Sequence, residues 1–113
     1  MQESMIQKAV LDILEALHRN GLQVFATRTN SGKAIGYSGN KIKLCRDGWP
    51  DVTACIRGRF VGIECKTKGG KLRKTQEKAK KSIEDAGGIY LVVRELKTLR
   101  DFLRREGVLK CQK

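Results

Sequence analysis

The sequence predicts an α/β fold, with a mixed central sheet flanked by helices in the order α-β-β-β-α-β-α. Three observations predict it. Apolar residues recur at helical spacing in three separate stretches. Short β-branched runs lie between those stretches. Each helical stretch ends at a glycine. A chain of 113 residues fits one domain, residues 1–113, with a modest core and little room for a second module.

The first helix is expected over about Ser4 to Arg19. Ile6, Val10, Ile13, Leu14 and Leu17 form one apolar face, Ser4-x-x-Gln7 reads as a capping box, and Asn20-Gly21 supplies the stop. One step back along the face from Ile6 is Glu3. This places an acid at the core-facing end of the first turn, or just before it if Ser4 is the cap. Leu22 to Thr29 reads as a strand, with Val24 and Phe25 as β-formers.

Residues 30–50 differ in character. Gly32, Gly36, Gly39 and Gly48 alternate with Lys33, Lys41, Lys43 and Arg46, and short strands are expected at 35–37 and 41–44. A long basic, glycine-rich connection in a small domain is usually functional or mobile. For any single residue there, a surface loop without a role is the competing reading.

Strands at Asp51–Ile56 and Phe60–Lys66 flank Arg57-Gly58-Arg59, a hairpin signal. A basic Gly-Gly loop follows at 67–71. The next helix, over Arg73–Ala86, has Leu72, Gln76, Ala79, Ile83 and Ala86 on one side and stops at Gly87-Gly88. Ile89–Val93 reads as a buried strand. Leu96, Leu99, Phe102 and Leu103 mark a last helix, closed by Gly107.

Twenty-four Lys and Arg oppose 12 Asp and Glu, a net charge of +12. Such an excess favours a polyanionic partner, with nucleic acid first. An anionic membrane fits less well, because no helix pairs a basic face with a wide aromatic and apolar one. Aromatic residues are 5% of the chain, so base stacking is not expected to dominate recognition. Cys45, Cys55, Cys65 and Cys111 form no C-x-x-C pair, and Cys55 and Cys65 are expected as buried thiols within strands. His18, the single histidine, reads as a surface or packing residue rather than a zinc ligand. The chain opens on no signal peptide and has no run of transmembrane length, so a reducing, cytoplasmic setting is expected.

Hairpin geometry gathers the charged residues. With a two-residue loop at Arg57-Gly58, residues whose numbers sum to 115 face each other. Val52 then meets Ile63 and Ala54 meets Val61 on an apolar face. On the other face Asp51 lies opposite Glu64, and Lys66 shares their side. Opposed carboxylates repel unless a cation sits between them. Hard cations such as Mg²⁺ take carboxylate, carbonyl and water oxygens. Together the two acids and the lysine imply metal-assisted hydrolysis of a nucleic-acid phosphodiester. Lys66 would orient or help deprotonate the water, or neutralise charge on the phosphoryl oxygens. The alternative is that Asp51 caps a turn after Pro50 while Glu64 and Lys66 form a surface pair on an edge strand.

Gly48-Trp49-Pro50-Asp51, then Phe60-Val61-Gly62-Ile63-Glu64-Cys65-Lys66-Thr67, then Gly70-Lys71-Leu72-Arg73-Lys74-Thr75-Gln76 resemble the PD-(D/E)XK nuclease superfamily. More narrowly, they resemble its virus-type replication-repair nuclease family (VRR-NUC) in its single-domain, phage-like form. With the first helix included, the likeness covers most of the chain. The resemblance implies a restriction-endonuclease-like α-β-β-β-α-β core. Asp51 and Glu64 would be metal-binding acids, the Cys65 carbonyl would complete the metal shell, and Lys66 would be the catalytic lysine. Gln76 would orient Lys66 or the water, and Glu3 would be an additional or outer ligand. It also implies a Mg²⁺- or Mn²⁺-dependent homodimer that cuts branched DNA, notably four-way junctions, leaving 5′-phosphate and 3′-hydroxyl ends.

Beside such a site Lys68, Lys71, Arg73 and Lys74 become phosphate clamps, with Arg28, Asn30 and Lys33 contributing from the opposite loop. Clamps of this kind position DNA without reading its sequence. Without the resemblance, Gln76 reads as a polar residue at a core edge, and the lysines read as a solvated helix face. Two rivals stand beside the junction nuclease. One is a non-catalytic DNA-binding or recombination-accessory module on the same fold. The other is a sequence-specific restriction-type enzyme, which usually needs more recognition elements than this length holds.

Overall fold

The computed structural model describes residues 1–29 and 33–110; Asn30 and Cys111 therefore lie outside the described residues. Helix α1 spans Glu3–Arg19 and buries Ile6, Val10 and Leu14, the centre of the expected face. Its cap is not Ser4. The helix begins at Glu3 with Gln2 as N-cap, and no side chain caps it. The Gln2 carbonyl already accepts the amides of Met5 and Ile6, each at 3.1 Å. Ser4 therefore sits inside the first turn, where its hydroxyl has no free amide to serve. At the other end Gly21 and Leu22 donate to the carbonyls of His18 and Leu17, the paired closure that a left-handed glycine allows.

Four strands form the main sheet in the order β1 (Val24–Arg28), β4 (Val52–Ile56), β5 (Arg59–Cys65), β6 (Ile89–Val93). Strand β4 is antiparallel to both β1 and β5, and β6 runs parallel to β5, so the sheet is mixed. The intervening β2 (Lys33–Ile35) and β3 (Lys41–Lys43) pair with each other as a separate two-stranded ribbon. Ile35 on this ribbon and Tyr37 in the turn that joins its strands are exposed.

The β4–β5 hairpin has the expected register, from Val52 opposite Ile63 to Ile56 opposite Arg59. Both turn residues have positive φ, 50° at Arg57 and 81° at Gly58, as a two-residue hairpin turn with right-handed strand twist demands. Arg57 is the unusual occupant. Its backbone amide donates to the Gln23 carbonyl at 2.9 Å and its guanidinium to the Glu106 carbonyl at 3.0 Å. These bonds tie the turn to both neighbouring segments.

Strand alternation divides the sheet into two faces. One face (Val52, Ala54, Ile56, Val61, Ile63, Cys65, Val93) packs on α1 and on α3 (Leu96–Arg105), which contributes Leu99, Phe102 and Leu103. The other carries Gly62, Glu64 and Tyr90 beneath α2 (Lys74–Asp85), whose buried residues are Gln76 and Ile83. Two expectations about burial change here. Cys65 is buried, but Cys55 is exposed, because it shares the second face with Phe25 at the end of the sheet that α2 does not cover. Strand β6 lies at the sheet edge, so only Tyr90 and Val93 are buried and the residues between are half-buried. His18 is a packing residue, with Nδ1 2.9 Å from the Val24 carbonyl and its ring 5.0 Å from that of Phe25. Among the described residues, no helix is long and apolar enough to cross a membrane.

Candidate active site

Asp51 lies one residue before β4, and Lys66 one residue after β5. The ladder therefore ends at Val52–Ile63, one pair short of the acids. Instead of pairing through its backbone, Asp51 turns its carboxylate onto the opposite strand, where Oδ2 accepts the Cys65 amide at 2.8 Å. Its own carbonyl accepts the Thr29 amide at 2.8 Å. The acid is thus held by both neighbouring chains.

Two glycines allow this approach. Gly48 has φ of +78°, and a Cβ there would stand 2.1 Å from the Thr75 carbonyl oxygen, so the segment before Asp51 lies directly on the start of α2. A Cβ at Gly62 would come within 2.5 Å of Pro50 Cγ, so the fully buried proline fits only over a bare strand position. Trp49 is fixed as well. Its indole N–H donates to Thr53 Oγ1 at 3.0 Å and its ring meets Phe60 edge-on, centroids 5.8 Å apart.

Glu64, Lys66 and Gln76 are the buried polar side chains of the described residues, at 2%, 7% and 4% exposure. Lys66 Nζ lies 3.9 Å from Glu64 Oε2. Gln76 Nε2 donates to the same oxygen at 3.2 Å, while Gln76 Oε1 accepts the Arg73 amide at 2.8 Å and so closes the first turn of α2. Gln76 therefore clasps Glu64 rather than Lys66. Glu64 Oε1 is buried and has no hydrogen-bond partner. Burial, then the charge of the neighbouring Asp51, push the Glu64 carboxyl up to about 8, against the opposing pull of Lys66.

A buried acid pair with an unserved oxygen suits a hard divalent cation, which would replace the missing partner and cancel the repulsion. The Cys65 thiol does not belong to such a donor set. It points into the core, where burial followed by the Asp51 charge pushes it up to about 12 and keeps it protonated. Cys65 has its backbone to offer, and its amide is already used by Asp51. Glu3, the expected additional or outer ligand, is exposed on the first turn of α1, and its charge is the last and smallest influence on Glu64.

The acids open into a polar cavity of about 280 Å³, bordered by Lys33, Lys43, Arg46, Arg73 and Gln76. Of the expected phosphate clamps, Lys33 and Arg73 reach this cavity. Arg28, Lys68, Lys71 and Lys74 are exposed outside its wall. Lys43 and Arg46 line it without having stood out among the other basic residues of the 30–50 segment. Arg94 was also not legible. Its guanidinium donates to the Thr67 carbonyl at 2.9 Å and to the Gly70 carbonyl, pinning the loop that covers the Lys66 stem. Comparison with models of known protein families finds no match to this chain, and comparison with curated proteins finds none either.

Proposed function

We propose that this chain is a Mg²⁺- or Mn²⁺-dependent endodeoxyribonuclease with a restriction-endonuclease-like core of the PD-(D/E)XK type, resembling the VRR-NUC family. One observation carries the reading: two acids open into a cationic cavity, a buried lysine ammonium lies 3.9 Å from one of them, and one buried oxygen of that same carboxylate has no hydrogen-bond partner. When bound, the metal would polarise the phosphoryl oxygen and make a water nucleophilic at neutral pH. The protein's share is positioning and charge. Asp51 is immobilised by the Cys65 amide and Glu64 by Gln76, so both acids present fixed oxygens. Lys66 holds an ammonium beside Glu64, where it neutralises charge developing on the phosphoryl oxygens. Lys33 and Arg73 hold flanking phosphates.

The substrate we infer is branched DNA, with a four-way junction first, cut by an intracellular homodimer that offers one site to each of two strands. Ile35, Tyr37 and Leu44, exposed on or beside the ribbon, give a second copy an apolar surface to cover.

Labelled four-way junction, splayed-arm, flap and linear duplex DNA, incubated with Mg²⁺, with Mn²⁺ and with chelator, test the reading. The parent cuts the junction preferentially and only with metal. Asp51→Ala and Lys66→Ala bind DNA without cutting. Variants that cut as well as the parent would refute the site. A parent that binds and never cuts leaves the DNA-binding accessory module in its place. Light scattering on the same samples reads the dimer.

A further inference from the structure

A second and larger recess, about 600 Å³, opens beside the acid cavity between the 43–49 segment and α2. Its floor is apolar, made by Phe60, Ala79, Ile83 and Gly88, and Trp49 forms part of the wall. Ser82 supplies a hydroxyl, and Lys43, Arg46 and Lys78 stand on the border. Lys43, Arg46, Asp47 and Trp49 line both recesses, so the two are adjacent. Asp47 is paired with Lys43 at 3.3 Å, which leaves Arg46 and Lys78 as the uncompensated cations of the border.

We propose that this recess takes one nucleobase turned out of the DNA stack, next to the phosphate held in the acid cavity; the proposal rests on the nuclease reading above. The volume falls within the range of small-ligand sites, and an apolar slot with a few polar groups is what a base requires. The cationic border complements the phosphates on either side of that base. The chain has a single tryptophan, and it stands at the junction of the two recesses with its indole N–H already committed to Thr53. The ring is thus pre-set as a stacking surface rather than a hydrogen-bond donor. An enzyme that accepts an extruded base favours sites where bases are already unpaired, such as branch points, because the unstacking cost is lowest there.

The test is binding of the full chain, in chelator, to a short oligothymidylate and to an abasic sugar-phosphate oligomer of equal length. The base-bearing oligomer should bind about tenfold more tightly, the effect of one stacked base, and should quench Trp49 emission where the abasic one does not. Ala79→Phe and, independently, Ser82→Phe fill the recess and should bring the affinity ratio near one, with unchanged circular dichroism. Equal binding of the two oligomers by the parent overturns the proposal, as does a ratio that neither filled variant lowers. A change of oligomeric state in the filled variants also overturns it, by making the recess a subunit contact. Because no cleavage is read, loss of the nuclease reading and loss of the base recess remain distinguishable: a parent that discriminates the oligomers yet never cuts junctions with metal loses only the former.

Discussion

Gln76 on α2 and Glu64 on β5 are joined by a 3.2 Å hydrogen bond between buried side chains, and the other end of the same amide caps its own helix at the Arg73 backbone. A single residue therefore couples the start of α2 to the orientation of the acid. Gln76→Ala should weaken Mn²⁺ binding by about 10- to 100-fold, as loss of a group that orients a ligand does, and cost about 1 kcal/mol of stability from the lost cap. Titration calorimetry and urea denaturation measure the two effects separately.

The pH dependence follows from Glu64, whose carboxyl is raised to about 8, first by burial and then by Asp51. Below the ordinary carboxylate range both the folded and unfolded chains carry the proton, and there is no penalty. As pH rises toward 8, the unfolded chain releases a proton that the folded chain keeps, so stability without metal falls. Above about 8 the penalty is complete. The melting temperature in chelator should decline between pH 5 and about 8, and Glu64→Gln should flatten the decline. Metal must displace this proton, so Mn²⁺ affinity should rise by about tenfold per pH unit over the lower part of that window and level off as pH approaches about 8.

Gly48 tests the close approach of the 44–50 segment to α2. Gly48→Ala imposes both a left-handed alanine and a collision with the Thr75 carbonyl. It should cost at least about 2 kcal/mol in urea denaturation. DNA binding, which depends on dispersed basic residues, should fall less than metal binding, because the displaced segment leads directly into Asp51.

Arg94 predicts a local effect. Its guanidinium serves two carbonyls of the 67–70 loop. Arg94→Ala should raise the rate of tryptic cleavage after Lys68 and Lys71 by about tenfold while costing only about 1–2 kcal/mol globally. Arg94→Lys should restore part of the protection, since one ammonium does not reproduce a planar fork reaching two acceptors. Unchanged proteolysis in Arg94→Ala would show that the loop is held by other means.

What could be read from the sequence follows the range of the interactions. The hairpin register was legible because two adjacent residues set it, and both positions adopt the required positive φ. The helix stops were legible for the same local reason. The acids could be paired because strand alternation carries the turn's phase down both strands. Beyond that range the sequence was silent or misleading. Gly48 resembles the other glycines of its loop until Thr75 lies against it, and Gly62 looks like a weak strand residue until Pro50 fills its space. Ser4-x-x-Gln7 fits a cap, but the Gln2 carbonyl starts the helix earlier. Cys55 sits in a strand-like apolar run, yet its face extends past the helix that covers Glu64.

The turn at Arg57 and Gly58 lies five ladder pairs away from the acids, yet it sets which way they point. One residue inserted there would invert the pleat of the return strand, sending the Glu64 carboxylate into the aliphatic layer and the Cys65 thiol outward in its stead. The polarity of the whole cleft is therefore inherited from two backbone angles at its remote end, and a lineage could silence the proposed chemistry without touching any residue to which it is assigned.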